Sequence, residues 1–187
     1  MAKRLFDILI AFVASIILII PCVFISILIL LTSSGPVIHW SRRIGSYGTY
    51  FMMPKFRTMQ VHTPEVETNK LSNPKKYITP IGYFLRRTSI DELPQLFSVL
   101  IGDMSLVGPR PALYNQYEII TKRKELGIDV LRPGITGWAQ VNGRDKISLE
   151  EKIGFDYQYL KQQSILFDLI IILKTIISIV KSENILH

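Results

Sequence analysis

The sequence contains one cysteine and three histidines. Cys22 has no partner for an intrachain disulfide, and one thiol cannot build a metal site by itself. His39, His62 and His187 are scattered, without metal-ligand spacing. There is no Walker motif, no G-x-G-x-x-G fingerprint and no nucleophile elbow. No zinc-finger spacing or aromatic RNA-binding signature accompanies the basic charge, so nucleic acid is not an expected partner. Internal repeats and low-complexity tracts are also absent. Charge is nearly missing from residues 5–31, which carry only Asp7.

A length of 187 residues suits one compact domain plus a membrane element. Hydrophobic residues make up 48%, concentrated in residues 5–31 and again in 165–180. The net charge of +7 therefore lies outside the first apolar segment. Beside a membrane segment, such charge points to anionic lipid and phosphorylated substrates. A lone cysteine fits a reducing, cytosol-facing location.

As one straight helix, residues 5–31 would measure roughly 40 Å, longer than the ~30 Å hydrocarbon core. The run is too long for a signal peptide, and no small-residue cleavage site follows it. Hydropathy alone favours one spanning helix, kinked at Pro21. Two features oppose that. Pro21 removes a backbone donor near the middle, and positive charge flanks both ends, Lys3 and Arg4 before, Arg42 and Arg43 after. The positive-inside rule then prefers both ends in the cytoplasm. A helix that enters, bends at Pro21 and returns would satisfy both features. Ser15 and Ser26 are candidate donors to the carbonyls freed at the bend.

Beyond the turn-rich stretch Thr32–Pro36, residues 37–40 and 50–59 read as strands and 62–76 as a surface loop. Thr79-Pro80 predicts a helix start, with Thr79 as N-cap. A second helix is expected from Ser89 to near Gly102. A third covers 112–126, with Gly127 as its stop. Ser148 and Glu151 form a capping-box pattern opening a fourth. In residues 165–180, Asp168, Thr175, Ser178 and, just beyond, Ser182 fall near one helical face, which predicts an interfacial amphipathic helix rather than a second span. A buried core helix is the alternative.

The segment Ser89-Ile90-Asp91-Glu92-Leu93 has two readings. Ser89 and Glu92 match a capping box, and acidic residues suit any first helical turn. Alternatively, the carboxylates divide the chemistry, one attacking phosphorus while the other holds a divalent metal. An ionised Asp needs no base to act as a nucleophile. Basic residues supply the second ingredient: Lys55, Arg57, Arg86, Arg87, and the Pro-flanked Arg110 and Arg132. Arginine forks match phosphate oxygens, and rigidity around Arg110 suits positioning. Trp138 and the turns around Gly134 and Gly143 are weak signals alone.

Four motifs, in order, carry a family resemblance. They are Lys55-Phe56-Arg57-Thr58-Met59, Ser89-Ile90-Asp91-Glu92-Leu93-Pro94-Gln95-Leu96, Gly102 through Pro111 and Arg132 through Arg144. Nearly the whole chain resembles the bacterial sugar transferases, the monotopic phosphoglycosyl transferases. The resemblance implies that Asp91 is the nucleophile attacking the β-phosphate of a UDP-sugar. It implies that Glu92 is the Mg²⁺ ligand, and that Lys55, Arg86 and Arg110 contact phosphates. Arg57, Arg144 and Asp156 are weaker carry-overs. The implied acceptor is a polyprenyl phosphate, and the implied location is the cytoplasmic face of the bacterial inner membrane. Two departures stand out. Ile20 precedes the bend proline where relatives often have Ser, and Ser41 stands two residues before Arg43 where Gln is common.

The resulting expectation is a mixed α/β, mostly helical small domain. Residues 1–34 would form a re-entrant membrane helix, 35–164 the catalytic domain, and 165–187 an amphipathic membrane-associated helix. The rival functions are a glycosyltransferase that moves the sugar alone and releases UDP, and a non-catalytic basic membrane adaptor.

Overall fold

The computed structural model describes residues 1–64, 73–143 and 146–180. Helix α1 (Ala2–Thr32) runs without interruption through Pro21. Strands β1 (Ile38–Ile44) and β2 (Tyr50–Phe56) form an antiparallel hairpin. Helix α2 (Gly82–Arg87) follows, then a 3₁₀ turn (Ile90–Glu92), α3 (Gln95–Ile101) and β3 (Ser105–Val107). Helix α4 (Tyr117–Glu125) leads to β4 (Gly134–Thr136), which pairs in parallel with β3. Helices α5 (Trp138–Val141), α6 (Leu149–Gln162) and α7 (Ile165–Val180) complete the described chain. The architecture is mixed α/β and mostly helical, as expected.

Period-2 alternation in the hairpin puts Ser41, Arg43, Phe51, Met53 and Lys55 on one face, because the register pairs Ser41 with Met53 and Arg43 with Phe51. Phe51 and Met53 enter the main core, with Val99, Met104, Val107, Ile128, Ile153 and Tyr159. Trp40, Arg42, Tyr50 and Met52 face outward and are exposed. This alternation delivers Lys55 and Arg43 to the interior side of the hairpin.

Both ends of α1 are held by the same domain. Near its start, Arg4 donates to the carbonyls of Val99 (2.6 Å) and Leu100 (3.0 Å), which α3 leaves unpaired at its C-terminal end. Asp7 is buried and accepts from the Ser105 hydroxyl (2.8 Å) and the Leu106 N–H (3.3 Å). Ala11 lies in the main core. Near the other end, Ile25 and Ile29 build a second core with Phe56 and Leu85, joined by Ile90 and Leu93. Between these anchor points Ile16, Ile17, Ile19, Ile20 and Val23 are exposed. By length and composition α1 is apolar enough to cross a membrane. Ser15 and Ser26 donate to the carbonyls of Ala11 and Cys22, both at 2.7 Å. Neither reaches the carbonyl of Ile17, four residues before Pro21, so the expectation that they satisfy it is corrected.

Helix α7 turns Asp168 and Thr175 inward. Asp168 is fully buried, accepting from Lys3 Nζ (2.6 Å) and the Tyr159 hydroxyl (2.7 Å). Thr175 bonds Thr136 across to β4 at 2.6 Å. Leu166, Leu169, Ile170, Leu173, Ile176 and Ile177 are exposed on the opposite side. A buried core helix is therefore the wrong description. Lys3, Asp7, Ser105, Tyr159 and Asp168 together tie both apolar helices to β3. Ser182 and His187 lie outside the described residues.

Three helix starts differ from the sequence expectation. The expected helix from Ser89 to Gly102 is divided at Pro94. That ring has no N–H and crowds the carbonyl four residues earlier, so a 3₁₀ turn precedes α3. Thr79 does not cap a helix. Its N–H and hydroxyl both reach the Thr58 carbonyl, at 3.0 and 3.3 Å, and α2 begins only at Gly82. The third helix begins at Tyr117 rather than 112, and Gly127 follows it with φ 68°, as a left-handed stop requires. The Ser148–Glu151 capping box is present in both directions.

Candidate active site

Asp91 and Glu92 sit on the 3₁₀ turn, both only 8% exposed. Ser89 does not cap this turn with its side chain. It takes the left-handed conformation at φ 57°, unusual for a residue bearing a Cβ. The capping reading of this segment fails on that geometry. Ile90 and Leu93 anchor the turn in the second core, and α1 packs beneath it through Ile25 and Ile29. The two carboxylates are thus fixed by apolar neighbours on either side in sequence.

Around them gathers basic charge from three other elements. Lys55 of β2 reaches Glu92 Oε1 at 3.3 Å. Arg110, following β3, donates from both terminal nitrogens to the same oxygen at 3.2 Å. Arg86 of α2 lies close enough to act on the charge of Asp91. Burial pushes the Asp91 carboxyl up to about 6; Lys55 opposes the rise, Glu92 adds to it, and Arg86 and Arg110 oppose it. Burial lowers the Lys55 ammonium from its ordinary value against the pull of Glu92, and Arg110 and Arg43 lower it further. A carboxylate that is basic for its type, beside cations, is equipped to attack an anionic electrophile.

Behind Arg110 two turns meet back to back. Gly108 N–H donates to Thr136 O and Gly134 N–H to Pro109 O, both at 2.9 Å. A Cβ on Gly108 or Gly134 would strike the backbone of the other turn. Only glycine permits this approach, which brings Gly108-Pro109-Arg110-Pro111 against Arg132-Pro133-Gly134.

The bacterial sugar transferase family model matches residues 1–182. The chain belongs to this family. ExoY, an exopolysaccharide production protein of Rhizobium meliloti (strain 1021), is 36% identical over 200 residues, covering 98% of this sugar transferase and 88% of ExoY. The UDP-glucose:undecaprenyl-phosphate glucose-1-phosphate transferase of Escherichia coli (strain K12) is 39% identical over 160 residues, 81% of this chain and 34% of that protein. The undecaprenyl-phosphate galactose phosphotransferase of Salmonella typhimurium is 38% identical over 156 residues, 75% of this chain and 33% of that one. The chain spans most of ExoY and about a third of the two larger transferases.

The structure of this sugar transferase brings together Lys55, Arg86, Asp91, Glu92 and Arg110. It commits two other candidates elsewhere. Arg57 is buried, and its guanidinium donates to the Ser34 carbonyl and to the carbonyl and hydroxyl of Ser33, the latter two at 2.8 Å. It closes the C-terminal end of α1. Asp156 is 1% exposed and accepts from Arg123 Nε (3.0 Å) and NH2 (2.6 Å). Arg144 lies outside the described residues, as do residues 65–72 of the expected loop. Sequence reasoning misses two residues near the site. Arg43 registers there only as flanking charge, although its alternation with Ser41 and Lys55 is a usable signal. Arg123, within Lys122-Arg123-Lys124, looks like any basic helix end.

No group of three or more His, Cys, Asp or Glu side chains that could hold a metal ion occurs among the described residues. Glu92 nevertheless suits Mg²⁺, which commonly takes one or two carboxylates and completes its shell with water and substrate phosphate.

Proposed function

We propose that this sugar transferase moves a sugar-1-phosphate from a UDP-sugar to undecaprenyl phosphate, releasing UMP through a covalent aspartyl intermediate. The observation that carries this reading is the buried Asp91, held beside Lys55, Arg86 and Arg110. A carboxylate oxygen of Asp91 attacks the β-phosphorus of the donor. The bond from that phosphorus to the bridging oxygen breaks, and the oxygen leaves with UMP. The sugar phosphate stays on Asp91 as an acyl phosphate. An oxygen of the polyprenyl phosphate then attacks the same phosphorus, and the Asp91 carboxylate departs.

Both substrates are anionic, so the cations must offset repulsion before either attack. Arg110 supplies a planar fork for diphosphate oxygens, and Lys55 a compact charge. Glu92, next to Asp91, would hold Mg²⁺, which when bound neutralises charge on the diphosphate. The elevated basicity of Asp91 strengthens it as a nucleophile while leaving it largely ionised at pH 7.

Membrane geometry supports a lipid-bound acceptor. With both ends of α1 held by one domain and its apolar middle exposed, α1 enters the bilayer and returns. Pro21 marks the apex, and Lys3 and Arg4 keep the start on the cytoplasmic side. The outward apolar face of α7 lies in the same interface. The domain is then monotopic, with its site at the headgroup level.

The test is the nucleotide product. Purified full-length chain in nanodiscs, given undecaprenyl phosphate, Mg²⁺ and a panel of UDP-sugars, should release UMP with one or more of them. Release of UDP would mean transfer of the sugar alone. Release of no nucleotide across the panel would favour a non-catalytic adaptor.

A further inference from the structure

The Arg110 turn is short of backbone donors, because Pro109 and Pro111 have no N–H. Its four consecutive carbonyls are nevertheless all held by distant donors. Pro109 O accepts from Gly134 N–H (2.9 Å), Arg110 O from Arg123 NH1 (2.9 Å), Pro111 O from Arg43 NH1 (3.0 Å) and Ala112 O from Ile44 N–H (3.0 Å). Two of those donors are arginine side chains from different elements. Arg123 comes from α4 and is itself fixed by Asp156 of α6. Arg43 comes from β1 and is oriented by the Ser41 hydroxyl, which accepts from its Nε at 3.0 Å. Arg123 is only 12% exposed and Asp156 2% by side chain, so this pair is shielded from solvent.

We propose that Arg123 and Arg43 are positioning residues that clamp the backbone of Arg110 and Pro111, and that Asp156 acts on the reaction only through Arg123. This rests on the reading above, in which Arg110 grips donor phosphate. A guanidinium fork reads phosphate only in a narrow set of orientations. Prolines restrict the turn internally, but they do not fix it relative to Asp91. The clamp does so, tying the turn to α4 and α6 on one side and to the Lys55 hairpin on the other. Displacement by about 1 Å at a distance from the chemistry costs on the order of 100-fold in rate, so loosening either arginine should be felt at Asp91. The assignment also gives Asp156 a role that matches its observed partner, since its Oδ2 is taken by Arg123. Ser41 fits the same picture, since its short hydroxyl leaves room for Arg43 to extend towards Pro111.

A double-mutant cycle on the full-length enzyme tests this. Arg123→Met alone would strand a buried carboxylate, so Arg123→Met is combined with Asp156→Leu, which removes both charges and keeps apolar volume. This pair variant should lower kcat/KM for UMP release by roughly 10- to 100-fold with a melting temperature near wild type. Combined with Arg110→Lys, it should add less than about twofold to the loss from Arg110→Lys alone. Asp156→Asn still accepts from Arg123 and should retain most of the activity that the pair variant loses. Arg43→Met should show the same non-additivity with Arg110→Lys. Fully multiplicative losses, or a wild-type rate in the pair variant, would overturn the clamp. Asp156→Asn as damaging as the pair variant would mean that the carboxylate meets substrate directly, and would overturn its indirect role. A wild-type rate in Arg110→Lys would instead refute the phosphate grip of Arg110 itself, and the clamp with it, while UMP release by the wild type still reports the reaction.

Discussion

Replacing Asp91 by Asn should abolish turnover and stabilise the protein. Asp91 titrates at about 6 in the folded chain against an ordinary 3.8. The difference of about 2 units corresponds to about 3 kcal/mol at ~1.4 kcal/mol per unit. The folded state binds the proton more tightly, so this cost is absent below about pH 4, grows as the pH rises to about 6, and is fully present above that. Asn has similar shape and no charge to bury, so it escapes the cost. At pH 7.5 the variant should melt above wild type by roughly 6–12 °C for a chain of this size, and the gap should close near pH 4. Thermal unfolding in detergent at the two pH values, with UMP release measured alongside, provides the assay. The wild type should in turn lose kcat/KM as the pH falls below about 6 and Asp91 takes up its proton. An Asn variant less stable than wild type at pH 7.5 would show that Lys55, Arg86 and Arg110 outweigh burial. Retained turnover would remove the nucleophile.

Three further outcomes follow from the geometry. Arg57→Met should destabilise the chain by about 3 kcal/mol, because charged hydrogen bonds to Ser33 and Ser34 are lost, while KM for the UDP-sugar stays near wild type in the folded fraction. A tenfold rise in KM with unchanged melting would return Arg57 to the substrate. Glu92→Gln should raise the Mg²⁺ concentration for half-maximal activity by roughly tenfold or more, since a neutral amide is a weaker ligand for a hard cation; an unchanged Mg²⁺ dependence would exclude Glu92 as the ligand. In a Cys22→Ala background, Ala2→Cys and His62→Cys should both react with an impermeant thiol reagent in inside-out vesicles and not in intact spheroplasts. Labelling of Ala2→Cys alone from the periplasm would make α1 a span.

What was legible in the sequence was mostly local. Ser148 and Glu151 announce α6 because both partners of the capping box lie within four residues, and Gly127 announces the end of α4 because left-handed backbone favours glycine. Asp91, Glu92, Lys55 and Arg110 could be nominated from their motifs. Their meeting could not, because the place of Arg110 depends on β3 pairing with β4. Each strand has three residues, too few for periodicity to register. The destinations of Arg57 and Asp156 were hidden because their partners lie 23 or more residues away in sequence. An arginine after a strand looks alike whether it reaches phosphate or the end of a helix, and only the arrival of Ser33 and Ser34 decides. Pro94, five residues into the expected helix, is itself a signal of the break.

The central claim is the covalent step, and the mass of the denatured protein tests it most directly. Wild-type chain incubated with Mg²⁺ and an accepted UDP-sugar, without polyprenyl phosphate, should gain the mass of one phosphosugar as UMP appears. Peptide mapping should locate the adduct at Asp91, hydroxylamine should remove it, and Asp91→Asn should never form it. UMP release without an adduct in the wild type, or continuing in Asp91→Asn, would contradict the account.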